Sequence, residues 1–136
     1  MSLARAPGTN RRRAAFIALA GVTIAVGLLV HLRGAALRPA ARDVLGDALW
    51  AAMIAWWAGA LAPNARLAAR SAVAYAVCVC VELSQLYHAP ALDAVRATLV
   101  GRLVLGSGFD PRDLVAYAAG VALAALVEAR AGTFSR

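Results

Sequence analysis

The stretch Ala14-Ala-Phe-Ile-Ala-Leu-Ala-Gly-Val-Thr-Ile-Ala-Val-Gly-Leu-Leu-Val-His-Leu32, set directly behind Arg11-Arg12-Arg13, decides the architecture. It carries no charged side chain over close to the ~20 helical residues that a hydrocarbon core about 30 Å thick requires. A secretory leader has a shorter apolar centre and a small-residue cleavage site, so this run reads as a retained first span, 14-33. Three further runs follow. The second, 43-62, opens behind Arg42 and is closed by Pro63-Asn64. The third, 67-87, is apolar from Ser71 to Val81 and then interrupted by Glu82, Ser84 and Gln85. The fourth, 111-131, opens at Asp110-Pro111-Arg112-Asp113, where an Asp cap followed by Pro in the first turn is a helix-start signal.

Composition agrees with this reading. Of the 136 residues, 62% are hydrophobic and only 15% charged, with mean hydropathy +0.71, which excludes a disordered chain and a soluble globular one. Both cysteines lie inside an apolar run, so a disulfide-built secreted module is excluded as well. The sequence therefore predicts an all-α membrane protein of one integral domain with four transmembrane helices. Between spans three and four, Ala89 to Phe109 is too short and too charged to cross. Gly101, Gly106 and Gly108 argue against one long helix there, so the segment is expected to be a short interfacial or re-entrant helix followed by a tight glycine-rich turn.

The formal charge of +7 raises the question of nucleic acid. Every basic residue is Arg, however, and the arginines cluster between apolar runs, so they read as membrane flanks and no nucleic-acid partner is expected. The lack of Lys beside abundant Ala suits a GC-rich bacterial genome, and the chain is expected in the bacterial cytoplasmic membrane. With both termini cytoplasmic, the inner side holds Arg5, Arg11, Arg12, Arg13, Arg66, Arg70, Arg130 and Arg136. The outer loops then hold Arg33, Arg38, Arg42, Arg96, Arg102 and Arg112. The triplet beside span one and the outer placement of Asp43, Asp93, Asp110 and Asp113 favour that orientation.

Span parity localises a polar site without reference to orientation. In an up-and-down order, the start of span two, the end of span three, the 89-109 segment and the start of span four share one membrane face. Asp47 and Trp50 share a stripe of span two; Cys78, Glu82 and Gln85 share one of span three; Asp113, Tyr117 and Gly120 share one of span four. Glu82 lies about a turn and a half inside its helix, where an unpaired ionised carboxylate costs at least ~2 to 3 kcal/mol near the bilayer centre. A guanidinium from the overlying segment, Arg96 first and Arg102 second, is the expected partner. That pair either staples the segment to the bundle or belongs to a binding or catalytic site. For Asp113, in a first helical turn, the stronger reading is compensation of the helix dipole.

The other polar and aromatic residues have plainer readings. Cys78 and Cys80 point in different directions on a helix and read as small apolar fillers, and His31 and His88 as interfacial side chains; no metal site or cofactor is expected. Trp56 and Trp57 read as interfacial belt residues. Small residues four apart, Ala72 with Ala76 and Ala116 with Gly120, read as seats for close helix packing.

The succession Asp43-Val-Leu-Gly-Asp-Ala-Leu-Trp50, Val81-Glu-Leu-Ser-Gln-Leu-Tyr87, Leu92-Asp-Ala-Val-Arg96, Gly101-Arg-Leu-Val-Leu-Gly106, Phe109 and Asp113-Leu-Val-Ala-Tyr117 with Gly120 resembles the small bacterial membrane family known as domain of unknown function 2809. The Glu-x-x-Gln, Arg and Asp-x-x-x-Tyr-x-x-Gly pattern is also similar to the broader VanZ-like family, associated with teicoplanin resistance, whose members often carry Asn where Tyr117 stands. The resemblance implies four spans and singles out Glu82, Gln85, Arg96 and Asp113; it implies no reaction. On the residues themselves, the first expectation is an outward-facing polar pocket that binds an anionic, lipid-linked head group or an envelope protein, with Arg96 and Arg102 beside an apolar groove. The alternatives are an enzyme acting on a lipid phosphate with Glu82 as general base, and a small transporter subunit.

Overall fold

The computed structural model describes residues 7–131. Four long helices, α1 (Pro7–Arg33), α2 (Pro39–Leu61), α3 (Leu67–Ser84) and α6 (Pro111–Ala131), are each long and apolar enough to cross a membrane. No strand occurs among the described residues, and the chain is an all-α multi-pass membrane protein. Arg5 and Arg136, which entered the orientation count, lie outside the described residues.

Three span boundaries differ from expectation by more than one residue; one is the start of α2, at Pro39 rather than Asp43, with the proline in its first turn. The first helix starts at Pro7, so the arginine triplet is helical and extends the rod beyond the apolar run. The third stops at Ser84 rather than Tyr87. The N–H groups of Gln85, Leu86 and Tyr87 each bond a carbonyl three residues back, at 3.1 Å, a tightening that unwinds the polar end of the helix.

The segment between α3 and α6 does not cross. It forms two short helices, α4 (Pro90–Ala97) and α5 (Leu99–Leu105), where one helix and a turn were expected. The break falls at Thr98, whose backbone is extended (ψ 156°) and whose hydroxyl accepts the Gly101 N–H at 3.0 Å, an N-cap that starts α5 afresh. Gly101 is thus inside a helix, seated against the Val95 carbonyl where a Cβ would stand 1.8 Å from the oxygen. The glycine-dependent turn is at Gly106, with φ +70°.

Helix α2 is the hub, packing against α1, α3 and α6, while α5 rests on α3 and α4. Between membrane helices there is little hydrophobic gain, so close approach of small residues does the holding. At Gly120 of α6 a Cβ would lie 2.1 Å from the Ala48 carbonyl of α2, so only glycine allows that crossing. Ala116, Gly120 and Ala124 are buried along this seam, as expected for the first two, whereas Ala72 and Ala76 are exposed and face outward. Large exposed side chains such as Val22, Leu29, Leu61, Val73 and Leu123 cover the outside, which suits a lipid solvent.

One core cluster joins Phe16 and Ala20 of α1, Ala52, Trp56 and Ala60 of α2, and Ala124 of α6. Trp56 is therefore not a belt residue: it is buried, its ring is 6.4 Å from that of Phe16, and its Nε1 donates to Thr23 Oγ1 at 3.2 Å. Trp57 points outward at 40% exposure. Below this cluster, at the end of the bundle away from α4 and α5, Arg70 of α3 pairs with Glu128 of α6, donates from Nε to the Ala65 carbonyl, and lies 5.0 Å above the Phe16 ring.

Candidate functional site

At the opposite end, three elements converge on Glu82. Its position on the buried stripe of α3, between Cys78 and the capping Gln85, leaves the side chain with no solvent exposure. One oxygen accepts the Asp110 backbone N–H at 2.8 Å. The other accepts the Tyr117 hydroxyl at 2.9 Å and the Gln85 side-chain amide at 3.1 Å. Glu82 therefore ties α3 to the loop before α6 and to α6 itself. In turn, the Asp110 carboxyl accepts the Arg112 N–H at 2.9 Å, which is the expected cap of the last helix.

The expected pairing of Glu82 with Arg96 or Arg102 is not formed. Arg96 is buried, but its guanidinium donates to the carbonyls of Ser84, at 2.6 Å, and Tyr87, at 2.8 Å, with Asp93 at 3.3 Å. The physical reason is the early end of α3. The Ser84 carbonyl, which accepts only a three-residue bond from the Tyr87 N–H, and the Tyr87 carbonyl just beyond the helix stand at the negative end of its dipole, so a cation from the overlying segment is held there. Arg96 does staple the segment to the bundle, through backbone rather than through Glu82. Arg102 is exposed on α5, and its side chain makes no hydrogen bond or ion pair among the described residues.

Beside this network lies a cavity of about 520 Å³, bounded by α1, α2 and α5 with Val81, Gln85 and Tyr117 at its back. One wall is apolar, built from Ile24, Leu28, Met53, Val81 and Leu103. Its other end is polar and holds Arg42, Asp43, Asp47, Trp50, Gln85 and Arg102. Val100, Leu28 and Ile24 are well exposed, so the space opens outward between α1 and α5. Trp50 and Tyr117 pack with ring centroids 5.7 Å apart, and the Trp50 N–H is buried without a partner among the described residues. Gln85 is 5% exposed; its amide nitrogen is committed to Glu82 and its Oε1 has no partner. It lies so close over Gly106 that a Cβ there would stand 2.4 Å from it. Asp47 of α2 and Asp113 of α6 stand near each other across the α2–α6 seam.

Of the sequence-selected residues, Asp47, Trp50, Gln85, Arg102 and Tyr117 thus line one cavity. Asp113 stands beside it, Glu82 is buried behind it, and Arg96 serves the end of α3. Two contributions were missed. Arg42 and Asp43 sit one turn before Gly46 and Asp47 on the same stripe of α2, so the spacing that selected Asp47 also pointed to them. His31, at the end of α1, joins the cavity because the α1–α2 turn brings that end to the same face. Among the described residues no group of three His, Cys, Asp or Glu side chains is placed to hold a metal ion.

No solved structure matches this chain. The family model described as protein of unknown function, DUF2809, matches residues 36–121, a stretch that runs from the α1–α2 turn to the α2–α6 seam and carries each of the sequence-selected site residues, and the chain belongs to that family.

Proposed function

We propose that the cavity binds the phosphate-bearing head group of a membrane lipid or lipid-linked molecule, with the apolar chain leaving between α1 and α5. The observation that carries this reading is the pairing of an apolar wall with two arginines, Arg42 and Arg102, that line the same space and have no protein partner among the described residues. Arginine suits a phosphate because its planar fork donates two parallel hydrogen bonds. With the termini on the cytoplasmic side of a bacterial inner membrane, as the arginine triplet favours, the cavity faces outward. Binding is better supported than turnover. The catalytic alternative needed Glu82 as a general base, yet both Glu82 oxygens are engaged by protein donors and the residue does not line the cavity.

Mass spectrometry of the full chain extracted in a mild detergent tests the proposal. A phosphate-bearing lipid should remain bound to the wild type and be lost from the Arg42→Gln, Arg102→Gln double variant. Equal retention by the two proteins would overturn the assignment of the cavity.

A further inference from the structure

The cavity is not simply cationic. Arg42 and Arg102 share it with Asp43 and Asp47, and no ion pair joins any of these four side chains to one another. Opposite charges lining one space normally find each other unless geometry keeps them apart. Here Asp43 and Asp47 stand a turn apart on α2, and Arg102 stands on α5 across the opening. Unpaired charges of both signs in one partly apolar cavity are complementary to a ligand that carries both signs.

The uncharged groups point the same way. Two cavity-lining residues have a buried polar atom without a partner, and they are of opposite kinds: the Trp50 N–H is a donor and Gln85 Oε1 is an acceptor. Gln85 is only 5% exposed, and it cannot turn its amide to satisfy the oxygen without losing the bond to Glu82. A phosphate oxygen could accept from the indole, but it offers nothing to an amide oxygen. An ammonium offers three N–H donors. Asp113 of α6 stands near Asp47 across the α2–α6 seam, so a cation beside Asp47 is attracted by both side chains.

Resting on the phosphate-binding reading above, we infer that the ligand is a zwitterionic amphiphile: a phosphate diester joined by a short linker to a primary ammonium. The phosphate is held by Arg42 and Arg102 and the ammonium by the acidic wall of α2 around Asp47. A lipid with a phosphoethanolamine head has this chemistry.

The test is competition on the delipidated full chain, read by native mass spectrometry, with three probes of identical dioleoyl tails: phosphatidylethanolamine, its N-acetylated derivative and phosphatidylglycerol. The last two keep the phosphate and lack the ammonium. Wild type is expected to favour phosphatidylethanolamine by about tenfold, the ratio that one additional charge-assisted contact of ~1.4 kcal/mol produces. Asp47→Asn should abolish that preference while leaving binding of the N-acetyl probe intact. Asp43→Asn, exposed and away from the α2–α6 seam, should reduce the preference even if the Asp47 variant fails to fold. Arg102→Gln should weaken all three probes together. Equal binding of the three probes by wild type overturns the zwitterion assignment and leaves the phosphate reading standing. Binding of none overturns both. A preference that survives in both aspartate variants removes the acidic wall from the account.

Discussion

Glu82 and Arg70 show how far a buried charge's position is from its partner's identity. Glu82 is satisfied by three neutral donors, Tyr117, Gln85 and the Asp110 N–H, whereas the buried ion pair of the bundle joins Arg70 to Glu128 at the other end. Double-mutant cycles followed by melts in one detergent should therefore separate them. Glu82→Gln and Tyr117→Phe are each expected to cost ~1 to 2 kcal/mol and to couple, since both act on the same hydrogen bond, the first by removing its charge and the second its donor. Glu82→Gln with Arg96→Gln should add within ~0.5 kcal/mol, because the two share no partner. Arg70→Gln should cost ~3 kcal/mol or more, and adding Glu128→Gln should recover part of that loss by removing the stranded charge. A Glu82–Arg96 coupling larger than the Glu82–Tyr117 coupling would return the carboxyl to the guanidinium.

At the level of elements, what positions the site is the seam between α2 and α6. It brings Asp47 to Asp113 and Trp50 to Tyr117, and it depends on the glycine at 120. Gly120→Ala places a methyl against the Ala48 carbonyl and should cost ~1 to 3 kcal/mol through overpacking. Gly21→Ala in α1, where nothing lies within 4 Å of the new methyl, should be neutral or stabilising by up to ~1 kcal/mol through helix propensity. Thermal unfolding of the two variants beside wild type is the measurement, and equal melting temperatures would mean that the seam yields freely. The overlying segment illustrates the same dependence. Its hydrophobic pattern announced that it would not cross, but the break at Thr98 depends on the side-chain cap and on the tight seat of Gly101 against Val95.

The whole molecule is a hub of α2 with α1, α3 and α6 around it, one polar end with a cavity and one end locked by a buried ion pair. The proposed orientation rests on the Arg11 to Arg13 triplet, since Arg70 is neutralised internally by Glu128 and contributes little to the bias. A C-terminal alkaline phosphatase fusion should be inactive and a fluorescent-protein fusion bright. In a background lacking Cys78 and Cys80, single cysteines at the exposed positions Ala91 and Ser107 should both react with an impermeant thiol reagent from outside. The reverse pattern would turn the cavity toward the cytoplasm. Labelling of Ala91 and Ser107 from different sides would make the α4–α5 segment a crossing.

The sequence by itself determined four spans, a segment that fails to cross, and the end of the bundle where polar groups gather. Those properties depend on hydropathy summed along one helix and on the parity of crossings, both of which are readable in one dimension. Parity would also have placed Arg70 with Glu128, because the start of the third span and the end of the fourth share a face. Only the tertiary structure decided that Glu82 binds Tyr117 rather than an arginine, that Arg96 bonds the carbonyls at and just beyond the end of α3, and that Arg42 and Arg102 are left facing a cavity. Partner choice at hydrogen-bonding range is decided by helix rotation, by a helix ending three residues early and by a glycine that lets two backbones meet. None of these leaves a signature in the hydrophobic pattern of a single helix.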